Sequence, residues 1–231
     1  SRAEVRRRVA EFAPDIAVVT TAPSYLFWRC APPELRVPQQ TVANLRGTAG
    51  KLVAIGPHAS STPRATLRKL GVDGAVLGEA EDILPKLAGE WDKVDSFAWR
   101  DGNEVRVQGF PHATDLASLP ALRWPPEVLA RHRHHHHRFD AEPTAPGAEI
   151  EFSRGCPYKC TFCAKENFRT NYRKRPLQVV LDELDGLVAA GAGYVYFIDE
   201  IFLPDRALLD ALVPRGVKFG VQTRIDLWKP E

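Results

Sequence analysis

Several residue types and patterns are missing from this 231-residue chain, and each absence narrows its function. Only four cysteines are present, too few and too unevenly placed for the disulfide framework of a small secreted domain. No apolar run approaches the roughly 20 residues that span a bilayer, and no signal peptide opens the chain. The net charge is only +2, whereas nucleic-acid-binding domains usually carry a strong basic excess. We therefore expect neither a membrane protein nor a nucleic-acid binder.

Both ends of the chain also lack the features of complete termini. The sequence contains no methionine at all, and it stops at residues 228–231 directly after a strand-and-turn pattern. We expect the visible residues to be part of a longer protein. By length alone they suffice for one large or two modest domains.

Three of the four cysteines lie within eight residues, in the spacing Cys156-x3-Cys160-x2-Cys163. Thiolates this close on a turning loop can bind one soft centre, either an iron–sulfur cluster or zinc. A four-iron cluster held by three cysteines keeps one iron open for a substrate or cosubstrate. Structural zinc takes four protein ligands, and no fourth Cys or close His follows, so a zinc site needs a distant histidine. Reduced thiolates fit a cytoplasmic location.

Alternating helix and strand patterns fill the first 90 residues. Short continuous apolar runs, such as residues 15–20, 52–55 and 72–77, are typical of strands buried on both faces of a parallel sheet. Amphipathic or well-capped helices are predicted between and after them, at 2–12, 41–46, 62–70 and 79–87. Right-handed crossovers would place the loops after these strands at one sheet edge, where ligands bind. The pattern predicts a doubly wound, Rossmann-like domain over residues 1–90.

Residues 91–147 are predicted to form a linker region. Residues 96–107 favour a β-hairpin, because Asp101-Gly102 suits its turn. The following stretch is rich in proline, and residues 131–138 alternate histidine with arginine. The histidine run is either a metal site or a solvated low-complexity loop, and its lack of helix or strand spacing favours the loop.

From residue 148 the chain again alternates strands and helices, which predicts the start of a β/α barrel over 148–231. Strands are expected at 148–153, 194–198 and 217–222, and helices at 176–190 and 205–213. In such barrels the functional residues lie at the carboxyl ends of the strands. The residues expected there are the three cysteines, Asp199, Glu200, Thr223 and Arg224, although Asp199 is equally suited to capping the next turn.

The cysteine spacing, with Tyr158 inside it and Phe162 directly before the last cysteine, resembles the cluster loop of the radical S-adenosylmethionine (SAM) superfamily. The resemblance implies a 4Fe–4S cluster on Cys156, Cys160 and Cys163, with SAM bound at the open iron. It implies an electron donor such as flavodoxin or ferredoxin. The residues placed near SAM or substrate are then Tyr158, Phe162, Asp199, Glu200 and Arg224.

Residues 1–90 resemble the cobalamin-binding domain that precedes many radical SAM domains. The matching features are Pro14-Asp15 before the first strand and three short stretches after successive strands, Thr20-Thr21, Gly56-Pro57-His58 and Gly78-Glu79-Ala80-Glu81. The residues implied to contact cobalamin are Thr20, Thr21, Arg29, Gly56, His58, Gly78 and Glu79. An Asp-x-His-x-x-Gly motif is missing, so no histidine is marked as the lower cobalt ligand.

Two of these cobalamin candidates have an alternative explanation. His58 either touches the cofactor's tail or makes only a local hydrogen bond. Arg29 lies in a loop, residues 21–39, that is too long for an ordinary connection. Its guanidinium would disfavour a sixth cobalt ligand if it faced the corrin, or it pairs with Glu34 at the surface.

This order of domains is that of the cobalamin-dependent radical SAM enzymes, most of which are methyltransferases. The resemblance implies transfer of a methyl group from SAM, via methylcobalamin, to an unactivated carbon of a small molecule or natural-product precursor. Relatives catalyse rearrangements or cyclisations without methylation. A radical methylthiotransferase acting on tRNA is a further alternative, although such enzymes carry a second cysteine triad and only Cys30 is available. A non-enzymatic sensor module that merely binds its cofactors is the last.

Overall fold

A computed structural model describes residues 1–22, 35–132, 145–161, 163 and 171–228. The first compact unit is Ser1–Thr114 together with Cys163, and the second is Asp115–Thr161 with the described residues from 171 onward. Arg29, Cys30, Phe162 and the histidine run from residue 133 lie outside the described ranges. Among the helices of the described ranges, none combines the length and apolar character needed to cross a membrane.

The first unit is built around one mixed sheet in the order β1-β2-β3-β4-β5. The first three strands are parallel, and the last two add antiparallel. The elements are α1 (Arg2–Phe12), β1 (Ile16–Thr20), α2 (Arg36–Leu45), β2 (Lys51–Ile55), α3 (Pro57–Ser61), α4 (Pro63–Leu70), β3 (Gly74–Val76), β4 (Phe97–Asp101) and β5 (Glu104–Gln108). This confirms the α/β prediction. The hairpin assigned to the linker in the sequence forms as β4 and β5, and it belongs to this sheet.

The central strands β2 and β3 are buried on both faces, as the continuous apolar runs predict. Successive residues of β2 point to opposite faces. Leu52 and Ala54 pack with Val42 of α2 and Leu67 of α4. Val53 packs on the other face, in a cluster with residues that include Ile83, Leu87 and Phe97.

The helix predicted over residues 79–87 is wrong. Only a short 3-10 helix forms there, over Leu84–Ala88. Pro85 has no backbone N–H and its ring would collide with the carbonyl four residues earlier, so an α-helix running through this position is unfavourable. The preceding residues make hydrogen bonds to the segment around residue 112 instead.

The second unit contains a parallel sheet in the order β10-β9-β6 and a separate antiparallel pair, β7-β8. Its elements are α5 (Pro126–Arg131), β6 (Gly147–Ile150), β7 (Ser153–Arg154), β8 (Arg173–Lys174), α6 (Leu177–Ala189), β9 (Tyr194–Phe197), α7 (Arg206–Leu212) and β10 (Lys218–Gly220). The helices α6 and α7 bury their apolar faces against β6 and β9, in a core that includes Leu184, Leu208 and Phe197. This is the β/α repetition that the sequence predicts.

A buried ion pair joins three parts of the second unit. Arg175, 4% exposed, donates to Glu183 of α6, 1% exposed, with 2.7 Å between Nη2 and Oε2. The guanidinium also donates to the carbonyls of Glu151 and Pro120, at 2.8 and 3.1 Å. Glu183 in turn accepts from the Leu122 N–H at 3.0 Å. The pair therefore holds the end of β6, the stretch before α5 and helix α6 together.

The substitution Glu183→Ala should cost about 3–5 kcal/mol of unfolding free energy, because it leaves a guanidinium buried without its carboxylate. Asp210→Ala on α7 is the matched control. It removes a carboxylate whose partner Arg206 is exposed, and it should cost no more than about 1 kcal/mol. Urea denaturation of both variants measures the difference, and equal losses would show that the buried pair contributes nothing special.

Candidate functional site

The candidate cluster site lies at the carboxyl edge of the parallel sheet in the second unit. Ile150 at the end of β6 pairs with Phe197 at the end of β9, and Gly220 at the end of β10 pairs with Tyr196. All three strands therefore end at one edge. The chain that leaves this edge supplies residues 151–156 after β6, 198–200 after β9 and 221–224 after β10. The parallel register thus gathers the predicted site residues of this unit, as expected in a β/α architecture.

The three cysteines carry free thiols, half-buried at Cys156 and Cys160 and exposed at Cys163. Within the described residues, no three His, Cys, Asp or Glu side chains already form a metal-binding group. Three thiols on one irregular loop are nevertheless the soft donor set that an iron–sulfur cluster takes. Ligands of this kind are commonly drawn together by the metal itself, since binding and local folding are coupled. The donor set fits the cluster implied by the sequence.

Asp199 and Glu200 contact the backbone that leads into the cysteine loop. One carboxylate oxygen of Asp199 accepts from the Phe152 N–H at 2.9 Å, and the other accepts from the Ser153 hydroxyl. Glu200 accepts from the Gly155 N–H at 2.8 Å. Sequence reasoning placed both acids near SAM or substrate, and it missed Ser153 and Gly155 as their partners.

The same segment is held from its other side by β8. Ser153 pairs with Lys174 and Arg154 with Arg173 in antiparallel register, and the Arg175 N–H donates to the Phe152 carbonyl at 2.8 Å. Gly155 follows with φ 84°, and an added Cβ there would lie 2.1 Å from the Asn171 carbonyl oxygen. Only glycine fits this position, so the chain turns sharply just before Cys156.

Arg224 lies over the ring of Tyr158, with 4.4 Å from the guanidinium carbon to the ring centroid. Asp226 accepts two hydrogen bonds from the same guanidinium, at 3.0 and 2.9 Å. That carboxylate holds the pKa of Arg224 above its ordinary value. The guanidinium therefore stacks on Tyr158, one of the three residues between Cys156 and Cys160, while Asp226 balances its charge.

In the first unit, the cobalamin candidates lie after β1, β2 and β3, at the carboxyl edge of the sheet. The Thr21 hydroxyl donates to the Ile55 carbonyl at 2.9 Å and accepts from the His58 N–H at 3.3 Å. Gly56 has φ 102°, and an added Cβ there would lie 2.9 Å from the Thr21 Oγ1. Thr20 is exposed and its hydroxyl bonds the backbone of Ala22. Thr21 and Gly56 therefore lock the loops after β1 and β2 together.

Gly78 and Glu79 hold the segment that follows the hairpin. Gly78 pairs with His112, and a Cβ on Gly78 would lie 2.2 Å from the His112 carbonyl oxygen. Glu79 is 4% exposed and accepts from the Thr114 N–H at 2.9 Å. His112 also contacts the Asp82 carboxylate at 2.7 Å, which lowers the pKa of Asp82. No local pattern in the sequence marks this histidine, since its carboxylate partner lies about 30 residues earlier.

His58 lines a cavity of about 420 Å³ at this edge of the first unit. The other lining residues are Leu35, Gln39, Thr62, Ala65, Thr66 and Lys69. Partial burial, with the nearby Lys69 charge, lowers the pKa of His58, which favours its neutral form. The cavity lies between α2 and α4, beside the residues that follow β2. Arg29 lies outside the described residues.

Burial of the Asp199 carboxyl group raises its pKa to about 7. Hydrogen bonds from Ser153 and the Phe152 N–H oppose the shift but do not cancel it. An unfolded aspartate ionises near 3.8. The folded chain therefore loses stability at Asp199 as the pH rises from about 4 to about 7, because only the unfolded carboxyl ionises freely in that range.

The substitution Asp199→Asn removes this titration. The unfolding free energy of the parent chain should therefore fall relative to that of the variant as the pH rises through this window. Urea denaturation of the cluster-free protein at a series of pH values measures the difference. Asp210→Asn on α7 is the matched control, since solvent surrounds that carboxyl. A difference between parent and Asp199→Asn that stays constant with pH would contradict the assignment.

The sequence of this chain was compared with those of known proteins. No protein-family model matches the chain. It is 26% identical over 250 residues to the anaerobic magnesium-protoporphyrin IX monomethyl ester cyclase of Cereibacter sphaeroides, covering 97% of this chain and 38% of that enzyme. A shorter match, 34% identical, joins 34% of this chain to 15% of the hopanoid C-2 methylase of Rhodopseudomonas palustris. The chain thus spans well under half the length of these curated relatives.

Two solved structures share the fold over nearly the whole chain. One is the radical SAM methyltransferase TsrM of Kitasatospora setae with cobalamin and a 4Fe–4S cluster bound, with a TM-score of 0.63 and 21% identity over 93% of this chain and 43% of that one. The other is the cobalamin-dependent SAM radical enzyme OxsB, with a TM-score of 0.66 and 17% identity over 95% of this chain and 32% of that one. The resemblance found in the sequence is thereby confirmed, and the chain has the fold of the cobalamin-dependent radical SAM enzymes.

Proposed function

We propose that this chain is the cofactor-binding part of a cobalamin-dependent radical SAM methyltransferase. Its cofactors would be a 4Fe–4S cluster, SAM and cobalamin. Its substrate would be a small molecule or natural-product precursor that accepts the methyl group at an unactivated carbon. An electron donor such as flavodoxin or ferredoxin would serve it in the cytoplasm.

One observation carries this proposal. The Cys156-x3-Cys160-x2-Cys163 loop leaves the carboxyl edge of a parallel β/α sheet, in a chain whose preceding unit is a Rossmann-like sheet with its own polar edge. The matches to TsrM and OxsB support the same pairing of units. Zinc would need a fourth protein ligand in a closed site, and the cysteine loop itself supplies three.

When bound, the cluster supplies an electron for cleaving SAM, and cobalamin supplies a carrier for the methyl group. The residues of this chain bind and orient those groups. Cys156, Cys160 and Cys163 would hold the cluster. The Rossmann-like unit would bind cobalamin at the edge that bears Thr20 and His58. Arg224, held over Tyr158, would support the stretch of the loop between Cys156 and Cys160.

The cyclase relative favours a second candidate reaction. The match to the magnesium-protoporphyrin IX monomethyl ester cyclase covers almost all of this chain, so the same cofactor-binding part can precede a domain for cyclisation without methyl transfer. Substrate contacts in such barrels come from later strands. An experiment that follows the SAM methyl group therefore distinguishes the two reactions.

The full-length protein, loaded with cluster and cobalamin without oxygen and supplied with a reductant that generates Co(I), should transfer an isotopic label from the SAM methyl group to the corrin fraction. We expect this because the corrin must receive the methyl group before it can pass that group to a substrate. Chromatographic separation of the corrin measures the label. Protein loaded with the cluster but not with cobalamin is the control, and it should retain no label.

Two other results would contradict methyl transfer. Formation of 5′-deoxyadenosine with no label in the corrin or in an added substrate would favour the cyclase-like reaction. Absence of both products, with the cofactors bound, would favour a sensor module.

Removal of each cysteine tests the metal centre. Protein reconstituted without oxygen should contain about four irons and four sulfides per chain, with an absorbance that bleaches on dithionite. Cys156→Ala, Cys160→Ala and Cys163→Ala should each abolish this content, because three thiolates are the minimum that holds the cluster here. Cys30→Ala is the matched control and should retain it. One zinc per chain with no acid-labile sulfide would overturn the assignment.

A further inference from the structure

We propose that Asp199 and Glu200 are positioning residues that fix the path of the chain into the cluster loop. In this role they accept hydrogen bonds from the segment that leads into the loop, and Asp199 has both of its carboxylate oxygens engaged there. This inference rests on the proposed function, since it assumes that the cysteines bind a cluster. It adds a role for the acidic pair that the cofactor assignment leaves open.

The contacts of the acidic pair span the four residues that precede Cys156. Asp199 accepts from the Phe152 N–H and the Ser153 hydroxyl, and Glu200 accepts from the Gly155 N–H. The two acids are neighbours in sequence, so the position of the chain after β9 sets the positions of both Phe152 and Gly155. A shift of β9 along β6 by one residue would break these bonds together.

The burial of Asp199 argues against a direct contact with a ligand. Its residue is 2% exposed, and the Ser153 beneath it is fully buried. Each carboxylate oxygen already has a donor from the loop. A buried carboxylate with both oxygens engaged stabilises a loop conformation, whereas a ligand would need it open to the site.

The acidic pair completes a set of constraints on the segment. On one side, β8 pairs with Ser153 and Arg154. On the other side, the acids satisfy backbone N–H groups of an irregular stretch, which would otherwise be unpaired in a buried place. The segment is held from two sides, and Gly155 turns it toward Cys156. Groups that orient metal ligands from behind typically change metal affinity about 10–100-fold when removed.

Iron retention tests this role without reference to turnover. Full-length protein is reconstituted with iron and sulfide, and iron loss to a chelator is followed for the parent, Asp199→Asn, Ser153→Ala and Glu200→Gln. We expect at least about tenfold faster iron loss from Asp199→Asn, and a smaller increase from the other two. Asp210→Asn on α7 is the matched control and should lose iron at the parent rate.

A second measurement uses the cluster-free protein, so that it reports on the loop alone. Above about pH 7, where the Asp199 carboxyl is ionised, hydrogen exchange of the peptide covering residues 152–155 should accelerate in Asp199→Asn and Glu200→Gln. The reason is that a neutral amide oxygen is a weaker acceptor for the Phe152 and Gly155 N–H groups than a carboxylate oxygen. Peptides from α6 should exchange at the parent rate, which shows that the variants are folded. Exchange in the 152–155 peptide at the parent rate would overturn the inference even if a variant proved too unstable to hold iron.

The outcomes separate this inference from the proposed function. If the parent chain takes up no cluster, the proposed function fails first. If the parent holds its cluster and Asp199→Asn loses iron no faster, the positioning role is wrong. Weaker binding of SAM to variants that keep their cluster at the parent rate would assign the acids to the ligand instead.

Discussion

The parallel register of β6 and β9 is the constraint on which the second unit depends. Ile150 lies opposite Phe197, and the Ile198 N–H donates to the Ile150 carbonyl at 2.9 Å beyond the paired residues. The chains therefore leave the sheet side by side. Because of this, the carboxylate of Asp199, which follows Ile198, reaches the backbone N–H of Phe152 in the segment that leads to Cys156. A parallel sheet with its helices outside can only present such residues at one edge.

An irregular loop at a sheet edge raises a problem that helices and strands do not have. Its backbone N–H groups find no regular partner, and a buried unpaired group costs stability. In this chain, carboxylates that follow β9 accept hydrogen bonds from those N–H groups, and the short β7–β8 pair supplies further backbone partners. The buried Arg175–Glu183 pair contributes as well, since the guanidinium donates to the carbonyls of Glu151 and Pro120. Charged side chains thus hold the segment that precedes Cys156.

In the first unit, side chains likewise hydrogen-bond the backbone of the segments that follow the strands. Thr21 joins the loops after β1 and β2, and Glu79 holds the segment at Thr114. Several residues that resemble a cofactor-binding set therefore have internal partners that shape the edge. Thr20 is exposed at the same edge with its hydroxyl bonded to the backbone of Ala22, and His58 lines the cavity.

The sequence alone determined the main alternation of helices and strands, the cysteine loop and the α/β class. Those features depend on local patterns such as the apolar run 52–55 and the spacing of Cys156, Cys160 and Cys163. It missed the break of the predicted 148–153 strand into β6 and β7, and it predicted an α-helix over 79–87 where only a short 3-10 helix forms. Local propensity cannot register a partner strand or a carboxylate that arrives from 45 residues away.

Only the tertiary structure decided which acid touches which backbone group. In the sequence Asp199 is one of several acidic residues at a strand end, with a turn cap and a ligand contact equally open. In the fold its two oxygens accept from Phe152 and Ser153. The physical reason is that hydrogen bonds depend on distances of a few ångströms, which the parallel register sets and the spacing of residues along the chain does not.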